Sequence, residues 1–152
     1  MDGTRPYVLV VDDEPDAADS MVVLLGLWRY DAAARYCGAS ALAAVLVRRP
    51  AAVLLDIGMA PMDGFGFTAR LRGQTGCERA AVVAVSGHTA DAHQARGREL
   101  GIDHYLLKPA DPEAVRALLG RLVSEPKPIL FGTAFPGRRS QCLAGSVDSG
   151  AK

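Results

Sequence analysis

The apolar runs of this chain stop at residues with chemistry. Val8–Val11 is followed by Asp12, Asp13 and Glu14, Ala51–Leu55 by Asp56, the run ending at Val85 by Ser86, and the short Tyr105–Leu107 by Lys108. If these runs are strands of one parallel sheet, their carboxyl ends lie along one edge, where open α/β sheets place their chemistry. Three carboxylates gathered there would repel one another, by about 4 kcal/mol for a pair ~4 Å apart at an effective dielectric of about 20. Lys108 offers one answering positive charge. A hard divalent ion held by a few carboxylates, a backbone carbonyl and water would supply the rest, a sparse ligand set that suits Mg²⁺. Taken singly, a strand-ending Asp serves equally well as a turn residue, and Lys108 as a plain salt-bridge partner. In the body of the chain, however, Lys108 is the sole lysine in a protein that otherwise uses arginine. A compact, mobile ammonium is a different tool from a planar guanidinium.

The elements that must hold these residues are legible in the pattern. Continuous apolar runs without alternation predict buried strands at Tyr7–Val11, Ala51–Leu55 and Ala80–Val85, and Tyr105–Leu107 predicts a fifth, short strand. A weaker strand of small residues is expected over Ala32–Cys37. Between them, Ala18, Met21, Leu25 and Trp28 recur at helical spacing after Pro15, a good first-turn residue. Leu42, Val45 and Leu46 predict the buried stripe of a second helix closed by Pro50. Phe65, Phe67 and Leu71 mark a third helix that Asp63 would cap. The fourth, between about Ala90 and Leu100, is only weakly amphipathic, as expected of an element able to move. Asp111, Pro112 and Glu113 open a fifth helix with Val115, Leu118, Leu119 and Leu122 on one face. Five strand–helix repeats predict an α/β fold with a parallel sheet covered on both sides. Residues 125–152 replace periodicity with Pro, Gly and Ser, and read as an extended tail or linker remnant carrying the apolar patches ILF and AF.

Composition excludes several classes. The 152 residues carry 17 basic and 17 acidic side chains, so there is no net charge to attract nucleic acid or an acidic membrane. No apolar run approaches the ~18 residues of a membrane span, and no signal peptide is apparent, which predicts a cytoplasmic protein. Cys37, Cys77 and Cys142 show no metal or disulfide spacing. The acids after the first strand would repel the phosphates of a flavin or nucleotide, for which a Gly- or Ser/Thr-rich loop is needed. His93 and His104 read as solvent-facing.

VVDDEP, LLDIGMAPMDG, VAVSGH and DHYLLKP, in this order and spacing over about residues 5–124, resemble the receiver domain of bacterial two-component response regulators. The resemblance implies a flavodoxin-like doubly wound (βα)5 fold of strand order 2-1-3-4-5, with residues 1–124 as the receiver. It makes Asp56 the phosphoacceptor, Asp12, Asp13 and Asp56 with the Gly58 carbonyl the Mg²⁺ ligands, and Lys108 and Ser86 the partners of the phosphoryl group. Tyr105 becomes the aromatic switch, and Gly58 and His88 the positions that tune phosphoryl lifetime, although His88 equally suits a solvated loop. A sensor histidine kinase or a histidine phosphotransfer domain is the implied donor, and a protein partner the output. A homodimer through the face of the fourth helix, fifth strand and fifth helix is implied as well. No membrane contact and no DNA binding are expected, and catalysis is limited to the domain's own phosphorylation and dephosphorylation. The loop after Asp56 departs from the family: Pro61 comes one residue late, with the expected consequence of weaker metal binding. Two alternatives stand beside this reading. One is a receiver-like interaction module that works without phosphorylation. The other, an aspartate-nucleophile phosphatase, wants DxDxT after its first strand, which Asp12, Asp13, Glu14 and Pro15 do not match.

Overall fold

The computed structural model describes residues 5–87 and 91–124, in which strands and helices alternate five times. They are β1 (Tyr7–Val11), α1 (Pro15–Leu27), β2 (Asp31–Arg35), α2 (Gly38–Val47), β3 (Ala52–Asp56), α3 (Gly64–Arg72), β4 (Ala81–Ser86), α4 (Asp91–Leu100), β5 (His104–Leu107) and α5 (Pro112–Ser124). The strands form one parallel sheet in the order β2-β1-β3-β4-β5. His88, Cys142 and the expected tail at 125–152 lie outside the described residues.

Because side chains alternate across a strand, each central strand feeds two cores. Leu9 and Val11, Val53 and Leu55, and Val82 and Ala84 face one way, toward Ala41 and Val45 of α2 and Phe65, Phe67 and Leu71 of α3. Val8 and Val10, Ala52 and Leu54, and Ala81 and Val83 face the other, toward Ala18 and Leu25 of α1 and Val115, Leu118 and Leu119 of α5. Burying each such side chain contributes about 1.5–3 kcal/mol, which explains why aliphatic runs without alternation occupy the middle of the sheet. The same alternation sorts the residues at the strand ends. Asp12, Asp56 and Lys108 keep the parity of Val10, Leu54 and Leu106, on the α1/α5 side. Ser86 keeps the parity of Val82 and Ala84, on the side where Tyr105 packs.

Two expectations need correction. The second strand is Asp31–Arg35, ending two residues before Cys37. As an edge strand of small residues it is only partly buried, so hydrophobicity marked it poorly. In α2, Ala41 and Val45 turn inward while Leu46 is 73% exposed. The small Ala41 lets the helix approach the sheet along the 41–45 line, which leaves Leu46, one residue and about 100° further round, pointing outward. No described helix is long and apolar enough to cross a membrane.

Candidate functional site

Three strand ends build the site. Asp56 closes β3 and is 93% buried, its relative exposure being 7%. Asp12 and Asp13 follow β1, and a carboxylate oxygen from each of Asp12, Asp13 and Asp56 lies within 4.8 Å of the others. Lys108, just past β5, places Nζ 3.1 Å from Asp56 Oδ1. The backbone adds fixed dipoles: the Gly58 amide donates to Asp56 Oδ1 at 3.0 Å, and the Glu14 amide donates to Asp12 Oδ1 at 3.0 Å. Each acid thus holds an amide two residues ahead of it, an Asx-type turn that orients the carboxylate.

The loop after Asp56 closes tightly. The Gly64 amide donates to the Ile57 carbonyl at 3.0 Å. A Cβ on Gly64 would lie 2.7 Å from Ile57 Cδ1 and 2.8 Å from its Cα. Glycine is therefore required where the loop returns past the residue next to Asp56, a reason for the MDG sequence that composition alone does not reveal. Asp63 caps α3, its Oδ1 accepting from the Gly66 amide at 2.9 Å, as expected. Ile57 and Met59 are buried, so the loop with its displaced Pro61 is anchored on both sides of Gly58.

The electrostatics are those of a crowded acid pocket. Burial pushes the Asp12 carboxyl above its ordinary range, and the Asp56 charge adds to that, against the lowering effects of the Glu14 amide and Lys108. For Lys108, burial works against the ammonium, but the hydrogen bond and charge of Asp56 and the charges of Asp12 and Asp13 outweigh it and raise its pKa. One cation thus faces three carboxylates.

Ser86 and Tyr105 belong to the other side of the sheet edge. Ser86 is buried and follows Val85, the register partner of Asp56. Its carbonyl accepts from the Lys108 amide at 2.8 Å, tying the end of β4 to the residue that carries the ammonium. The Tyr105 hydroxyl donates to the His93 carbonyl of α4 at 2.9 Å. His93, expected in solvent, is half-buried, with its ring edge-on to Phe65 at a centroid distance of 5.5 Å. Arg96 covers the same ring at 4.4 Å. These contacts, which hold α4 on α3, left no signal in the sequence because neither His nor Arg belongs to an apolar stripe.

A 2-1-3-4-5 parallel sheet that gathers acids and a lysine at its carboxyl edge defines the CheY-like class of signalling domains. The sequence of residues 8–120 matches the response regulator receiver domain. This chain belongs to that family, whose members work in two-component signalling. It is 35% identical over 134 residues to the DNA-binding response regulator MtrA of Mycolicibacterium smegmatis, covering 86% of this chain and 58% of MtrA. It is also 35% identical over 156 residues to the transcriptional regulatory protein PrrA of Mycobacterium tuberculosis, covering 95% of this chain and 66% of PrrA. The chain therefore spans about three-fifths of the length of the MtrA relatives. Among solved structures, the Vibrio cholerae chemotaxis protein CheY4 superposes with a TM-score of 0.75 at 25% identity, over 78% of this chain and 98% of that one. The BeF3-activated receiver domain of Klebsiella pneumoniae RstA gives 0.70 at 26% identity, over 77% and 97%.

Proposed function

We propose that this receiver accepts a phosphoryl group on Asp56 from a phosphohistidine of a sensor kinase or a histidine phosphotransfer domain, in a Mg²⁺-dependent reaction, and thereby switches its protein contacts. The observation that carries the reading is the set of three carboxylates within 4.8 Å with one ammonium on the central acid. The donor set fits a hard divalent cation: all oxygen, net negative, and too sparse to complete a coordination shell without water. Asp12, Asp13, Asp56 and the Gly58 carbonyl would hold it. When bound, Mg²⁺ supplies positive charge to the phosphoryl oxygens and relieves the repulsion among the acids.

The chain's own residues do the remainder. A carboxylate oxygen of Asp56 attacks phosphorus as the bond to the donor imidazole nitrogen breaks, leaving an acyl phosphate and a neutral histidine once that nitrogen takes a proton. Lys108 moves from the carboxylate to the phosphoryl oxygens, where the transition state gathers charge. The Ser86 hydroxyl donates to the same group. Because the Ser86 carbonyl holds the Lys108 amide, a shift at the end of β4 is transmitted to β5 and Tyr105. The α4-β5-α5 face, where Leu107 is 52% exposed, then changes its affinity for a partner or a second copy. The switch is a population shift set by how much better the phosphoryl group binds one state. His88 and Gly58 tune hydrolysis, the glycine by leaving the phosphoryl group unshielded. The setting is cytoplasmic.

Intact mass after incubation with acetyl phosphate tests the proposal. The expected result is one phosphoryl adduct on the wild type that disappears when Mg²⁺ is chelated and in Asp56→Asn. A folded wild type that takes no adduct would leave the phosphorylation-independent module as the function.

A further inference from the structure

β2 ends the sheet, and among the described residues it pairs on one side only, with β1. Two bonds settle which of its backbone groups face outward. The Asp31 amide donates to the Pro6 carbonyl at 2.9 Å, and the Arg35 carbonyl accepts from the Asp12 amide at 3.1 Å. Backbone direction alternates along a strand. Asp31, Ala33 and Arg35 therefore turn to β1, while Ala32 and Ala34 turn their N–H and C=O groups to the open side. There the Ala34 carbonyl accepts from Arg35 Nη1 at 2.7 Å and keeps a second lone pair. Edge strands that stay free are blunted by Pro, Lys or a bulge. β2 has none of these: its sequence is DAAAR, and its register with β1 runs one to one.

The two ends of the strand carry opposite charge on one face, the α2 side. There Arg48 Nη2 holds Asp31 Oδ2 at 2.8 Å, and its guanidinium lies 4.0 Å from the centre of the Tyr7 ring. Asp31 Oδ1 is left to accept from another donor, and no described carboxylate lies within ion-pair distance of Arg35. An antiparallel strand of the same sequence meets this pattern in one register. With Ala33 opposite Ala33, Ala32 of each strand exchanges both its bonds with Ala34 of the other, so every outward group is used. Asp31 of each chain then lies directly opposite Arg35 of the other, at the Cβ separation of about 4.5–5.5 Å typical of facing pairs. Pairing Ala32 with Ala32, or Ala34 with Ala34, takes these charges out of opposition. The helices suit the join. α1 packs on Ala32 and Ala34 as well as on Val8 and Val10, so it lies over the β1–β2 pair. Across a twofold axis it would meet its copy at roughly 10 Å, two strand spacings of ~4.8 Å, which is a normal helix packing distance. Asp19, whose Oδ1 accepts from the Tyr36 hydroxyl at 2.6 Å, marks the side of α1 along this edge. Val23 and Leu27 continue that row at steps of four and are exposed.

We propose that the β2 edge pairs antiparallel with the β2 edge of a second copy about a twofold axis at Ala33, making one continuous sheet across the dimer. Asp31 and Arg35 are exchanged between the chains, and the α1 helices meet along Val23 and Leu27. The interface is self-complementary, as twofold symmetry requires. It lies at the opposite end of the sheet from β5, so it leaves the α4-β5-α5 face open, and it does not depend on the phosphorylation chemistry proposed above.

Sedimentation velocity of the full-length chain over a dilution series, without phosphodonor or divalent metal, tests the proposal. The wild type should be a dimer at the upper end of the series. Asp31→Lys and Arg35→Asp, at side chains that water reaches, should each be monomeric there, because each sets like charges opposite one another at both ends of the join. An equimolar mixture of the two variants should restore the dimer. In the mixed pair the substituted positions face each other with opposite charge, and the native Arg35 of one chain faces the native Asp31 of the other. Misfolded variants would show no such rescue. By hydrogen exchange, the Ala32 and Ala34 amides should be protected in the wild-type dimer and lose that protection on dilution, while those of Asp31, Ala33 and Arg35 keep theirs. A wild type that stays monomeric throughout would overturn the proposal. So would a dimer that either single variant preserves, or a mixture no more associated than its components. Protection of Ala32 and Ala34 that persists on dilution to the monomer would overturn it too, because the edge would then be covered from within the chain.

Discussion

Two ion pairs of equal length sit at opposite edges of the sheet and are built for different ends. Arg72 Nη2 lies 3.1 Å from Asp103 Oδ2, and Lys108 Nζ lies 3.1 Å from Asp56 Oδ1. Around the first pair, Arg72 also donates to the Gly101 carbonyl through Nε (3.2 Å) and Nη2 (2.7 Å) and to the Cys77 carbonyl through Nη1 (2.8 Å). Asp103 Oδ2 accepts in addition from the Val82 amide at 2.8 Å. A guanidinium's fixed fork joins the ends of α3 and α4 to the entry of β4, with little freedom left. Around the second pair a flexible ammonium, 42% exposed, faces three carboxylates and leaves negative charge uncompensated. The bond length is the same; what differs is how far the surroundings satisfy the charge. One edge is fixed, and the other holds negative charge that its surroundings do not satisfy.

The contrast breaks first at Arg72. Arg72→Ala strands Asp103 and several carbonyls in a buried place, and should lower unfolding stability by about 3 kcal/mol, the low end for breaking a buried pair. Urea denaturation reads the loss, and the folded fraction should still take label on Asp56 as the wild type does. Arg72→Lys should not restore the stability, because one ammonium cannot reach both carbonyls and the carboxylate. Equal stability of wild type and Arg72→Ala would remove the distinction between the edges.

Lys108→Ala should do the reverse, with a stability cost under about 1 kcal/mol for a cation that water still reaches and a large loss of labelling rate. With the ammonium that faces the three acids among the described residues gone, Mg²⁺ should raise the melting temperature of Lys108→Ala more than that of the wild type. The pH dependence has a defined sign. The folded pKa of Lys108 lies above its ordinary 10.5, so its contribution is fully present below 10.5 and is lost as pH rises through the folded value. The stability gap between wild type and Lys108→Ala should accordingly stay constant at neutral pH and close only above 10.5. A gap that closed near neutrality would mean that Lys108 does not hold its proton against these three acids.

The two edges were unequally legible in the sequence. The site edge announced itself because aliphatic runs stop at acids, so Asp12, Asp13, Asp56 and Lys108 could be aligned along one edge from strand periodicity alone. The strand order, and the roles expected of Ser86 and Tyr105, follow only from the family resemblance. The opposite edge was silent. Arg72 reads as an ordinary last-turn arginine, and its acceptors are backbone carbonyls up to 29 residues away and a carboxylate 31 residues away, which no local pattern can encode. The edge strand β2 was misplaced and Leu46 was turned inward for a related reason: small residues such as Ala33 and Ala41 decide how closely elements approach, yet contribute little to a hydrophobic pattern.

β5 links the two edges, with Asp103 just before it and Lys108 just after it, and Tyr105 between them reports on both. Its ring occupies the space that a side chain at Gly97 would take: a Cβ there would overlap the hydroxyl and lie 2.8 Å from two ring carbons. On helix propensity alone, Gly97→Ala should stabilise α4 by about 1 kcal/mol. The overlap predicts no gain in the wild-type background and recovery of that gain in Tyr105→Ala. Burial now holds the Tyr105 hydroxyl above its ordinary 10.0, so stability falls as pH rises from 10.0 through the folded value. Gly97→Ala should bring that pKa back toward 10.0, read by absorbance titration against the matching Tyr105→Phe proteins. If the Asp103 end is fixed and the Lys108 end is free, the displaced ring should move the amide resonances of Ser86 and Lys108 and leave those of Val82 and Asp103 in place. Equal shifts at both ends would mean that β5 moves as one body, and that Arg72 anchors a strand it does not hold still.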